Sequence, residues 1–249
     1  MTINDHSSSD QQKKLDRILR SQAELAKTNE DKRIYSFAEN LSRIESALVV
    51  VSDIAKGTSR IFSGTFARSL GIDGYSHENS IWEKEILNLM TEKEQENKII
   101  TELRFFHYLR KIPKSHKSEY YLVSKLRFRN TMTVLHRMYY IYAASGDSVN
   151  YAICVYCPLI FDFPGQSFAV NAVTGFKEEI TSSADNSIIS KRERQVLELI
   201  SSGMKSSEIA RSLNISLNTV SRHRQEILSK LQVKNSVEAC YLAKSMGLI

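Results

Sequence analysis

The chain has 249 residues and a mass of 28.4 kDa, 42% hydrophobic and 25% charged, with 3 Pro, 9 Gly and 3 Cys. Such proportions fit an ordinary folded chain of one large or two modest domains and exclude collagen-like and Pro/Gly-rich low-complexity sequences. The formal net charge of +6 is unevenly spread: from Ser190 onward ten basic residues stand against five acidic ones, +5, which leaves +1 for residues 1–189, and a local basic excess is the footprint of a polyanion-binding module.

In chain order, Met1 to Asp10 is polar and lacks the apolar run of a signal peptide. Residues 11–28 are predicted helical, with Leu15, Ile18, Leu19 and Leu25 on one stripe that packs either on its own chain or on a second subunit. A second helix is expected over Lys32–Glu45, through Ile34, Phe37, Leu41 and Ile44. Two β-branched runs follow, Ala47–Val51 and Ser59–Ser63, separated by a turn-like segment ending in Gly57. Helical patterns then cover Thr65–Leu70, Ile81–Met90 and Glu92–Leu109. Strand patterns cover Tyr120–Phe128, Val134–Ala144 and Asn150–Tyr156, the last two joined by the turn composition Ala144–Ser148. Strands and helices in blocks with hairpin joins argue α+β with a five-stranded antiparallel sheet. Residues 162–189 read as a segment leaving the sheet and then a polar linker.

The three cysteines are Cys154, Cys157 and Cys240. Cys154 and Cys157 have CxxC spacing but lie in a predicted strand, where residues three apart point to opposite faces. Two buried core thiols are the expectation, and no metal site, since no second CxxC or suitably spaced His pair completes one. The longest nearly apolar run, Tyr151 to Phe161, is well short of the ~20 residues that span a bilayer. A cytoplasmic protein with no membrane partner is expected. No nucleophile–base or paired-carboxylate constellation emerges, so no enzyme is expected. His77, His107, His116 and His136 read as core or surface histidines rather than haem ligands, and the basic segment Arg104–Lys117 as a solvated face rather than a second nucleic-acid surface.

The last sixty residues are the most informative. Ser190-Lys-Arg-Glu193 spells a capping box, and Gly203 ends that helix. A short helix carries Glu208–Leu213, Asn214-Ile-Ser216 makes a tight turn, Ser216 caps a third helix over Leu217–Leu231, and Ser236 caps a fourth to about Met246. A short helix, a three-residue turn and a longer helix spell helix-turn-helix. On the third helix Asn218, Ser221, Arg222, Gln225 and Ser229 share one arc of about 100°. Leu217, Val220, Ile227, Leu228 and Leu231 lie on the other side, with Arg224 among them, so its stem must be covered and its head must snorkel. Arg, Asn and Gln are the side chains that reach base edges.

Two resemblances follow from these residues. Phe66-Ala-Arg-Ser-Leu-Gly71, Ile81-Trp-Glu-Lys-Glu-Ile86 and Leu103–Leu109, in a two-strand, helices, three-strand order, resemble a PAS domain. Ser190–Leu197, Glu208-Ile-Ala210, Asn214-Ile-Ser216, Thr219-Val220, His223-Arg224, Lys230-Leu231 and Val233–Ala239 resemble the LuxR/NarL-type DNA-binding domain. The second resemblance implies four helices, the third entering the major groove and the fourth pairing two copies. It places Asn218, Thr219, Val220, Ser221, Arg222, His223, Arg224, Gln225 and Lys230 at the DNA. Ser221, Arg222 and Gln225 would face bases; Thr219, His223, Arg224 and Lys230 would face phosphates. Ser221 stands where the family often has Lys. Lys205 stands at the second helix's usual Ser, Thr or Pro cap, so Ser206 is expected to cap instead.

The expected organisation is therefore N-terminal helices with a dimerising role over 1–45, a PAS-like sensory or dimerisation domain over 46–165, connector and linker over 166–189, and the helix-turn-helix over 190–249. The expected function is sequence-specific transcription regulation as a homodimer on double-stranded DNA, in contact with the transcription machinery, with a small-molecule ligand of the PAS-like domain as the one cofactor considered. The competing reading is an interaction module that binds no DNA.

Overall fold

A computed structural model describes residues 28–129, 132–143, 148–181, 189–231, 233, 235–245 and 248–249. The helix expected over 11–28 lies outside these residues except for Thr28, as do the turn at 144–147 and the linker at 182–188. The chain divides into two compact units between Ile180 and Thr181. Among the described residues no helix is long and apolar enough to cross a membrane.

The first unit is α1 (Thr28–Ile44), β1 (Leu48–Asp53), β2 (Thr58–Ser63), α2 (Thr65–Ser69), β3 (His77–Glu78), α3 (Lys84–Asn88), α4 (Glu92–Leu109), a 3-10 turn (Lys114–Glu119), β4 (Tyr120–Arg127), β5 (Thr133–Tyr142), β6 (Val149–Pro158), β7 (Ser167–Asn171) and β8 (Lys177–Glu179). All pairings are antiparallel, in the order β3-β2-β1-β6-β5-β4-β7-β8. The β1–β2 hairpin forms because Asp53 accepts from the Lys56 amide at 2.9 Å and Gly57 adopts a positive φ of 67°. β1 is buried along its whole length. That is why it reads as an unbroken apolar run rather than an alternating one: both faces of the sheet's centre are covered.

One face carries Val49, Val51, Ile153 and Val155 against Ala38 of α1, with Ile34, Tyr35, Leu41 and Cys157 packed around them. On the other face lie Met138, Tyr140, Ala152 and Cys154 with Lys98 and Glu102 of α4, and Phe105 of α4 stacks on Tyr140 at 5.9 Å. Cys154 and Cys157 thus occupy opposite faces, as strand geometry requires.

Three expectations are corrected. The sheet has eight strands, not five: β7 and β8 extend it beyond β4, and two-residue β3 extends it beyond β2. Residues 166–180 do not leave the sheet as a connector but return to it, Ser167–Asn171 pairing with β4 in alternating burial. The reversal rests on Asn171, whose side-chain oxygen accepts from the Val173 and Thr174 amides at 2.9 Å each. The helix expected over 81–90 shrinks to α3, because Ser80 Oγ takes the Trp82 amide at 3.0 Å and holds that entry irregular.

The second unit comprises α5 (Lys191–Ser201), α6 (Ser206–Leu213), α7 (Leu217–Leu231) and α8 (Ser236–Ser245). Val196, Leu197, Ile209, Val220, Ile227 and Leu231 are buried and form its interior.

Candidate nucleic-acid interface

The second unit is assembled by caps. The Ser190 amide donates to Glu193 Oε2 at 2.6 Å and the Glu193 amide donates to Ser190 Oγ at 3.2 Å, the reciprocal pair of a capping box. Gly203, at φ 87°, ends α5. At α6 the Lys205 amide donates to Glu208 Oε2 at 2.7 Å. Ser206 is not the cap expected there; its hydroxyl accepts from Arg224 instead. Asn214 takes a left-handed conformation (φ 52°, ψ 51°) that turns the chain from α6 into α7, and Ser216 Oγ accepts the Thr219 amide at 3.1 Å to start α7. α8 is capped by Asn235, whose Oδ1 accepts from the Glu238 amide at 2.9 Å, not by Ser236.

Along α7, Asn218, Ser221, Arg222 and Gln225 are exposed on one face. Arg222 keeps 72% of its side chain open to solvent, with Nε 3.4 Å from Glu226. Thr219 is half-buried, its hydroxyl 2.9 Å from that of Ser216. His223 retains 13% exposure, its Nδ1 lying 3.4 Å from the same Glu226. Val220, also expected at the DNA, has a fully buried side chain that seats the helix in the domain interior.

Arg224 and Lys230 each have a partner inside the domain. The Arg224 guanidinium donates to Ser206 Oγ at 3.0 Å and to Ser236 Oγ at 2.9 Å, tying α7 to the starts of α6 and α8. Lys230 Nζ donates to both Glu193 oxygens at 2.7 Å. Burial raises the Glu193 carboxyl pKa, but the Lys230 and Ser190 hydrogen bonds outweigh it and hold the pKa below the usual value. Sequence reasoning missed Glu193 as the centre of this network, because its lysine lies 37 residues away. It also missed Arg192, which donates to the Leu213 carbonyl at 2.6 Å and closes the end of α6.

Residues 187–243 match the family "Bacterial regulatory proteins, luxR family". The C-terminal domain is a LuxR-family helix-turn-helix. Among curated proteins, the transcriptional regulatory protein DesR of Bacillus subtilis is 42% identical over 59 residues, 24% of this chain and 30% of DesR. The uncharacterized response regulatory protein YgeK of Escherichia coli is 40% identical over 73 residues, 28% of this chain and 49% of YgeK. The chain thus spans about a third to a half of the length of these relatives. Among solved structures, the phage VqmA–DPO complex is 16% identical, aligned over 88% of this chain and 92% of that one with a TM-score of 0.33. In the LuxR-family domain described here, the turn at Asn214 and the exposed arc of α7 belong to the matched stretch.

Proposed function

We propose that the protein is a transcription regulator that binds duplex DNA through α7 and acts as a homodimer under control of its N-terminal unit. The observation that carries the reading is the two-sided character of α7: Asn218, Ser221, Arg222 and Gln225 open to solvent, Val220, Ile227 and Leu231 buried. Those exposed side chains are the donors and acceptors that read base edges in the major groove, while Thr219, His223 and the charge of Lys230 serve the backbone. Arg224 acts here by positioning α7. The transcriptional role printed for DesR supports the reading. Pairing through α8 follows from the resemblance to the LuxR/NarL-type domain, whose fourth helix pairs two copies; Val237 lies 80% exposed on that helix. The PAS-like reading of the N-terminal unit is supported by α2, α3 and α4 inserted between β2 and β4, the second and third of the five central strands. Its control is exerted through a ligand or through dimerisation.

Fluorescence anisotropy of the full chain on duplex DNA tests the proposal. Affinity is expected to fall linearly on a log–log plot against salt, and a duplex selected from a random pool is expected to bind more tightly than an unselected one. Binding to neither at low salt overturns it in favour of an interaction module that uses the same fold without DNA.

A further inference from the structure

The most anomalous side chain in the N-terminal unit is His136. It is fully buried on β5, and neither ring nitrogen makes a hydrogen bond. Its Nε2 lies 3.8 Å from Glu102 Oε1 of α4. Cys154, on β6, sits diagonally across the strand pair, since His136 pairs with Tyr156 and Met138 with Cys154. One donor atom from each of Glu102, His136 and Cys154 lies within 4.8 Å of the others, and all three residues are buried. An imidazole with two unpartnered nitrogens thus stands beside a thiol and a carboxylate.

We propose that Glu102, His136 and Cys154 form a buried site for one divalent transition-metal ion, zinc by preference. Mixed imidazole, thiolate and carboxylate donors are zinc's ordinary set, and three protein donors leave a position for water. Glu102 and Cys154 also line a cavity on this face of the sheet with Lys98, Tyr140 and Ala152, whereas His136 lies outside its lining.

Charge favours the same occupant. Glu83, Lys98 and Glu102 are buried together, and burial raises both the Glu102 carboxyl and the Cys154 thiol, so an ion must displace protons to bind; with both carboxylates ionised the three groups carry one net negative charge. A divalent ion bound to a Cys154 thiolate brings the group to zero: three negatives, the lysine and the ion. Lys98 does not bar the site. It donates to Glu102 Oε1 at 2.6 Å but also lies 3.8 Å from Glu83 Oε2, an oxygen that accepts no hydrogen bond, so the ammonium has a second partner when the metal takes Glu102. The step is an exchange without oxidation: the sulfur–metal bond forms, the S–H bond breaks, and the proton leaves to solvent. Strand geometry keeps Cys157 on the opposite face from Cys154, and the fold brings His136 and Glu102 to Cys154 instead.

The test is a titration of metal-stripped, full-length protein with cobalt(II), then zinc(II). A thiolate-to-cobalt charge-transfer absorption is expected to saturate at one ion per chain, to vanish on adding zinc, and to accompany release of one proton. The double variant Cys157→Ser/Cys240→Ser keeps the absorption; Cys154→Ser and His136→Asn lose it. Absence of the absorption in folded wild-type protein overturns the proposal, as does its survival in Cys154→Ser. The wild-type and double-variant spectra decide the matter even where His136→Asn fails to fold. The readout involves no DNA, so it stands or falls apart from the proposed function.

Discussion

At the scale of single residues, α7 mixes side chains that seat the helix with side chains left open, and the two kinds should fail differently. Arg222→Ala removes an exposed side chain; the thermal midpoint is expected to stay put while discrimination between selected and mismatched duplexes falls by about 1–3 kcal/mol in competition binding. Arg224→Ala strips Ser206 and Ser236 of their shared donor; a stability loss of about 1–3 kcal/mol is expected in urea unfolding, with affinity falling on all sequences alike. An Arg224→Ala protein as stable as wild type would return that residue to the phosphate. Glu193 gives the matching pH prediction. Its folded pKa is depressed, so its contribution is present above the unfolded carboxyl value and is lost as pH falls through the folded one. Glu193→Gln should therefore flatten the acid limb of the second unit's stability curve, as read by its thermal midpoint against pH.

At the scale of elements, the tightest joint lies between α1, β1 and α2. A Cβ on Gly64 would stand 2.2 Å from the Ser42 carbonyl oxygen and 2.5 Å from that of Ala47, both backbone, whereas one on Gly74 meets nothing within 4 Å. Gly64→Ala is expected to destabilise the first unit by about 1–3 kcal/mol through forced backbone movement, and Gly74→Ala to be near neutral, as measured by urea midpoints. Element by element, what the sequence disclosed was whatever is decided locally. The capping box at Ser190, the run of β1 and the bounds of α4 all rest on residues within a turn of one another. Other features are decided at a distance. Lys98 and Glu102 are four apart on a helix, a spacing shared by solvated surface pairs, and only the sheet beneath them makes the pair buried. β7 escaped notice because five alternating residues after Pro164 and Gly165 carry little signal until β4 is there to receive them. Arg224 could be placed on the apolar side of α7 by angle alone, but its two serine partners come from other helices.

At the scale of the whole molecule, the two units should answer acid differently. In the first, burial lowers His107 to about 3, with Arg110 and Lys111 adding to the shift. It must charge on unfolding. Stability from this group is present above the unfolded value of 6.5 and is lost as pH falls below it toward the folded value, steepening the decline by about 1.4 kcal/mol per pH unit. The second unit loses the Glu193 contribution only at lower pH. Calorimetry across pH 7 to 4 is expected to show the transition of the first unit moving down before that of the second; transitions moving together, or in reverse order, would refute the assignment. The edge strand β8 has a consequence as well. It pairs with β7 alone, through three residue pairs, and it is the last strand before the chain crosses into the second unit. An edge strand held on one side through so few pairs frays first, so the Lys177–Glu179 amides are expected to exchange hydrogen sooner than those of β1, which is paired on both sides. The end of the sheet from which the chain leaves the first unit is thus its most easily opened part, and its centre, with the buried cluster under α4, the last to open.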